Sequence, residues 1–126
     1  MTSVSAAVAR SLLNVTDVVF GIMGNGNAHV VSELTRGGVR YISARHEGGA
    51  VAMADAYFRA SGRISVATTT YGPGFTNTLT ALGEAAQARV PLILLTGGVP
   101  VSGARRWDVD QVAMAGAAGV ETLTIT

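Results

Sequence analysis

The chain has 126 residues, of which 48% are hydrophobic and only 13% charged, with a net charge of +1. That length fits one domain with a core of its own, burying roughly two-thirds of the unfolded surface. The absence of cysteine excludes disulfides and thiolate metal sites, two histidines (His29, His46) are too few for a metal centre, and nine arginines without a basic run give no nucleic-acid footprint. No apolar run approaches the roughly 18 residues of a membrane span. The start lacks the basic segment and apolar core of a signal peptide, so a cytoplasmic protein is expected. Charge is well below the roughly 25% of typical domains, which predicts a sheet covered on both faces and copies of the chain packed on one another.

Taken in order, residues 4–13 carry apolar side chains at 4, 8, 12 and 6, 9, 13, a helical spacing, with Ser3 as its cap. Val18-Val19-Phe20-Gly21-Ile22 is a continuous apolar run, as a strand buried on both sides requires. Gly24-Asn25-Gly26-Asn27 breaks it, and a helix is predicted over 28–35. A second strand, 39–44, leads to Arg45-His46-Glu47-Gly48-Gly49 and a long alanine-rich helix. Gly62 closes that helix in the manner of a left-handed cap.

A third strand is predicted over 64–69, followed by the turn Thr70-Tyr71-Gly72-Pro73-Gly74 and one helix from 75 to 89. Pro91 precedes the most hydrophobic strand, 92–96, which ends at Gly97-Gly98-Val99-Pro100. A solvated loop then holds Arg105, Arg106 and Trp107. Asp108 is expected to cap a helix through 118, and 121–126 is expected to be a last strand.

Strands and helices alternate through short connections. That predicts an α/β domain spanning 1–126, with a doubly wound, mostly parallel open sheet and helices on both faces. In such a sheet the junctions 23–27, 45–49, 70–74 and 96–98 all follow strand carboxyl ends and gather on one rim, where ligands bind. Glu47 stands out there, an acid near the positive end of a helix dipole beside two glycines. Read alone, such a glutamate is more often a surface residue that suits the dipole, and His46 reads as a local structural partner.

Two chemistries fit the rim. Gly24-x-Gly26 after a strand, with Glu47 about twenty residues on, matches a dinucleotide fingerprint loosely, although His29 stands at the third glycine position. The other rests on four segments in register: Val19-Phe20-Gly21; Arg45-His46-Glu47 with its helix; Gly72-Pro73-Gly74-Phe75-Thr76-Asn77; and Pro91 to Gly97 followed by Val99-Pro100. Over nearly the whole chain these resemble the amino-terminal, pyrimidine-binding domain of thiamine diphosphate enzymes, in the acetolactate synthase and pyruvate oxidase group.

The resemblance implies that Glu47 hydrogen-bonds N1′ of the cofactor pyrimidine and favours the imino tautomer, which activates the thiazolium carbon for attack on a 2-keto acid. It further implies that Ile22, Met23, Gly24, Thr70, Gly72, Pro73 and Asn77 lie by the same ring. Departures are Met23 for a usual proline, Tyr71 for a usual serine, and Arg106-Trp107-Asp108 where Phe-Gln-Glu is common; Asp110-Gln111-Val112 fits the family. The family anchors the diphosphate and Mg²⁺ on a second domain bearing Gly-Asp-Gly, which this sequence lacks. The expectation is therefore a domain of a longer enzyme, or a split subunit that meets a diphosphate-binding subunit. A catalytically silent interaction domain of the same fold is the alternative.

Overall fold

The computed structural model describes residues 1–104 and 106–126, so Arg105, read above as part of a solvated loop, lies outside the described residues. The apolar runs form strands β1 (Val18–Gly21), β2 (Arg40–Ser43), β3 (Ser65–Thr69) and β4 (Leu92–Thr96). They pair in the order β2-β1-β3-β4, and every pairing is parallel. The two central strands, β1 and β3, are buried along their whole length, whereas β2 at one edge exposes Arg40 and Ser43. Central strands of a parallel sheet are covered on both faces, which explains why β1 and β3 lack polar alternation.

The helices divide between the two faces. Helices α1 (Val4–Leu12) and α2 (Ala28–Arg36) place Ala9, Leu12, Val30 and Leu34 against Val19 and Val66. Helix α3 (Glu47–Ser61) places Ala50, Val51 and Ala54 against Val18, Phe20 and Ala67 on the other face. Val19 and Val66 are fully enclosed, and each such side chain contributes about 1.5–3 kcal/mol of burial free energy. The Ser65 hydroxyl donates to the Ala54 carbonyl at 2.6 Å, tying β3 to α3 with a satisfied buried polar group. Ser3 caps α1 by accepting from Ala6 N–H, and Gly62 ends α3 at φ +71°.

The structure corrects three sequence expectations. The helix predicted over 75–89 is two helices, α4 (Pro73–Thr76) and α5 (Leu79–Gln87). Thr78 donates both its N–H and its hydroxyl to the Phe75 carbonyl, at 2.9 and 2.6 Å. This three-residue return tightens the chain and interrupts the α-helical ladder. The last helix, α6 (Gln111–Ala117), is capped by Asp110, whose Oδ1 accepts from Ala113 N–H, and not by Asp108. Residues 121–126 join no strand ladder. Leu123 and Ile125 alternate as a strand would, yet they stay 83% and 60% exposed, and a cavity of about 570 Å³ lies among this segment, α1 and β4.

Candidate functional site

Because the sheet is wholly parallel, the ends of β1, β2, β3 and β4 at Gly21, Ser43, Thr69 and Thr96 share one edge. The chain diverges to opposite faces after β1 and β3, the topological switch point at which α/β sheets bind ligands. The four predicted junctions do meet there, and glycines let them touch. A Cβ at Gly97 would fall 2.3 Å from the Gly26 carbonyl oxygen, and one at Gly26 would fall 2.8 Å from Thr70 Oγ1. Gly24 is pressed on Thr70 in the same way, at 2.9 Å. Both glycines of the supposed dinucleotide fingerprint are thus spent on packing the 70–71 segment. These contacts account for both glycines without a ligand, and the dinucleotide reading is set aside.

Side-chain amides hold this rim together. Asn27 is buried; its Oδ1 accepts from Gly24 N–H at 2.8 Å, and its Nδ2 donates to Ile22 O and Thr68 Oγ1, both at 3.1 Å. Gln111 bridges two junctions: its Oε1 accepts from Gly72 N–H at 3.1 Å and its Nε2 donates to Gly97 O at 3.2 Å. Gly72 holds φ +63°, a conformation that suits glycine. Across it lies the backbone of Trp107, also at positive φ, with an indole that is 70% exposed. Sequence reasoning assigned no such role to Asn27 or Gln111. Asn27 had a local signal, a polar residue three positions after a glycine, whereas Gln111 acts across 39 residues and showed only as part of the family-like Asp110-Gln111-Val112, with nothing local to give its partners.

Glu47 opens α3, half-buried, at the positive end of the helix dipole. His46 before it is the N-cap, its Nδ1 accepting from Gly48 N–H at 3.1 Å. His46 is thereby the local structural partner it was read to be. Oε2 of Glu47 accepts from Asn77 Nδ2 at 2.9 Å. Oε1 lies 3.7 Å from where a Gly74 Cβ would be and has no hydrogen-bond partner among the described residues. No described cation pairs with this carboxylate.

The other predicted site residues lie on junctions of the same rim, and among the described residues Asn77 is the one of them bonded to Glu47. Gly72 and Pro73 form the turn and first residue of α4, one step from Gly74. Met23 is 54% exposed beside Gly24, and Ile22 bonds Thr68 O through its N–H at 3.3 Å. Thr70 faces inward: its hydroxyl oxygen accepts from Gly26 N–H at 3.0 Å, and its carbonyl accepts from Thr96 Oγ1 at 3.2 Å. A further cavity, about 320 Å³, lies by Gly26 and Gly97; Glu47 lines neither cavity and stands on the open surface of the rim. Among the described residues no group of three His, Asp or Glu could hold a metal, and no helix is long and apolar enough to cross a membrane.

Residues 2–118 match the family described as thiamine pyrophosphate enzyme, N-terminal TPP binding domain. A probable 2-ketoarginine decarboxylase of Pseudomonas aeruginosa is 42% identical over 91 residues, 71% of this chain and 16% of that protein. The acetolactate synthase isozyme 3 large subunit of Escherichia coli is 38% identical over 104 residues, 81% of this chain and 18% of that protein. A 2-hydroxyacyl-CoA lyase 2 of Danio rerio is 38% identical over 100 residues, 76% of this chain and 16% of that protein. The chain therefore spans less than a fifth of the length of each of these relatives.

Proposed function

The chain belongs to the thiamine pyrophosphate enzymes as their N-terminal TPP-binding domain, and on that premise we propose that it is the pyrimidine-binding half of a 2-keto acid decarboxylase or carboligase of the acetolactate synthase kind. The observation that carries this reading is the Glu47 carboxylate, held on the rim by one neutral donor with its second oxygen open. A weakly basic ring nitrogen needs such a partner, an acid able to share a proton and not already neutralised by a cation.

The residues present fit an aminopyrimidine. Glu47 is the acid for N1′. Gly74 lacks a Cβ beside Oε1, and a larger residue there is blocked by Thr70 Cγ2 and Thr69 Oγ1, at 2.7 and 2.8 Å from a Cβ. Ile22, Met23, Gly24, Gly72 and Pro73 are assigned to the walls of the same place. Thr70 supports that wall from behind, and Asn77 borders it through Glu47. When bound, thiamine diphosphate supplies the electron sink for decarboxylating a 2-keto acid. The chain's own task is to orient the ring and to hold a proton at Glu47, while the partner that closes over the rim excludes water from that bond.

Diphosphate and Mg²⁺ are assigned to another domain or subunit, in the cytoplasm, that closes over the open rim. Copies of this chain are expected to associate, with α3 offering exposed Gly49, Ala52, Ala56 and Ala60 for close backbone approach. Reconstitution tests the proposal. Alone, the chain should bind thiamine diphosphate and Mg²⁺ more weakly than about 100 μM, roughly −5.5 kcal/mol, and turn over no keto acid. With a diphosphate-binding domain supplied, activity should appear. A complete and correctly folded assembly that binds no cofactor, or binds it without turnover, would favour the silent domain instead.

A further inference from the structure

The contact between Glu47 and Asn77 joins residues 30 positions apart, across the break between α4 and α5. It is built from more than one side. A Cβ at Gly48 would lie 3.1 Å from the Asn77 carbonyl oxygen, so a larger residue there would push the first turn of α3 and residue 77 apart by a few tenths of an ångström. The return of Thr78 onto Phe75 ends α4 one residue before the break and leaves Asn77 at the junction, facing α3. Its amide then donates to Oε2 of Glu47 at 2.9 Å.

A glutamate at a helix start, free in solvent, samples several rotamers and offers either oxygen to a partner. Here one oxygen is taken, and the other is left on the side of Gly74, where no Cβ projects. The donor is an amide, so it orients the carboxylate without neutralising it as an arginine would.

We infer that Asn77 is a positioning residue for Glu47, with Gly48 setting the distance: the amide fixes Oε2 so that Oε1 alone meets the pyrimidine nitrogen. This rests on the assignment of Glu47 proposed above. Asn77 acts through Glu47 and is not itself a cofactor ligand.

Two measurements test it. The first needs no cofactor. In the ¹⁵N-labelled chain, the two Asn77 side-chain amide protons should be well separated, with one shifted downfield by its carboxylate acceptor, and Glu47→Ala should collapse that separation. The second uses the complete enzyme. Asn77→Ala and Asn77→Asp should each lower kcat about 10–100-fold, the scale of a misplaced reacting group, with KM for the keto acid nearly unchanged. Gly48→Ala should do the same more weakly. In a Glu47→Gln background, Asn77→Ala should cost less than about twofold more, because residues acting as one unit are not additive.

Unchanged kcat in folded Asn77 variants, or an undiminished loss in the Glu47→Gln background, would overturn the positioning role and leave Glu47 standing. Normal turnover of Glu47→Gln would instead bring down the underlying assignment and this inference with it. Should Asn77→Ala fail to fold, Asn77→Ser keeps a small polar side chain that falls short of Oε2 and reads the same quantity.

Discussion

Helix α3 carries two carboxylates that the fold treats in opposite ways. Asp55, in the middle of the helix, is 8% exposed and ion-paired to Arg59 one turn on. The hydrogen bond and charge of Asp55 hold the Arg59 guanidinium above its ordinary value. Glu47, at the start of the helix, is half-buried and among the described residues accepts only from a neutral amide. An acid bonded by an arginine has its oxygens taken up by a cation and serves the fold. An acid bonded by an amide keeps one oxygen open and meets no cation, so the partner of each acid, more than its burial, is what the proposed division between a structural and a chemical acid rests on.

The sharpest way to break that contrast is Glu47→Gln. The variant keeps size and one acceptor but cannot share a proton. In the complete enzyme turnover should fall about 10²–10⁴-fold, the usual weight of a proton-transfer group. Folding should barely respond, because a negative charge at a helix start is worth about 0.3–1 kcal/mol. Steady-state kinetics and a thermal melt of the same preparation check both halves. Near-normal turnover, or a chain that no longer folds, would make Glu47 a second Asp55.

Asp55→Asn should show the reverse pattern. It removes the negative charge and one acceptor oxygen of a buried acid while leaving one acceptor for Arg59, which is half exposed, so the loss should be about 1–2 kcal/mol and not the larger cost of a fully buried pair. Urea denaturation measures it. The surviving folded fraction should keep its cofactor affinity. A weaker cofactor constant with unchanged stability would reverse the assignment of the two acids.

A smaller effect is expected one residue before Glu47. His46→Ala removes the cap on Gly48 N–H and should cost about 0.5–1 kcal/mol, the lower part of the range for lost caps. The first turn of α3 should fray while the turn holding Asp55 stays protected. Amide exchange at Gly49 and Ala50, compared with Asp55 and Ala56, separates local fraying from general loss of stability.

Most of this architecture was legible from the amino acids. The runs at 18–21 and 92–96, and Gly62 as a stop, are local signals that the tertiary structure had no reason to override. The helix break at 77–78 was not legible, because it depends on a hydroxyl folding back three residues and on an acid from a distant segment. The tail at 121–126 shows the opposite failure: an alternating pattern that finds no ladder, since periodicity describes a face and not a partner. At the site, Glu47 stood out as an isolated acid, but the meaning of Gly24 and Gly26 came only with Thr70 beside them. The bridging role of Gln111 was hidden for the same reason, since both its partners lie in other junctions.

The least effect belongs to a third acid, Asp17, at the opposite end of the sheet. Its carboxylate accepts from the Tyr57 hydroxyl and from Arg63, each at 3.2 Å. Desolvation pushes its pKa upward, but its backbone bond, the bonds to Tyr57 and Arg63 and the Arg63 charge outweigh that push and hold it below the ordinary 3.8. A carboxyl with a lowered folded-state value stabilises the fold fully above its unfolded value. That contribution fades as pH falls below about 4 and is gone once the folded-state group protonates. Asp17→Asn should therefore melt slightly below the parent chain at pH 7, and the gap should close as the pH is lowered through that window. Asp17 is exposed and its bonds face solvent, so added salt should narrow the gap at neutral pH as well. A gap that stayed constant from pH 7 to pH 3 would show that the aspartate acts by shape alone, and the ionic tie between β1 and the end of α3 would have to be withdrawn.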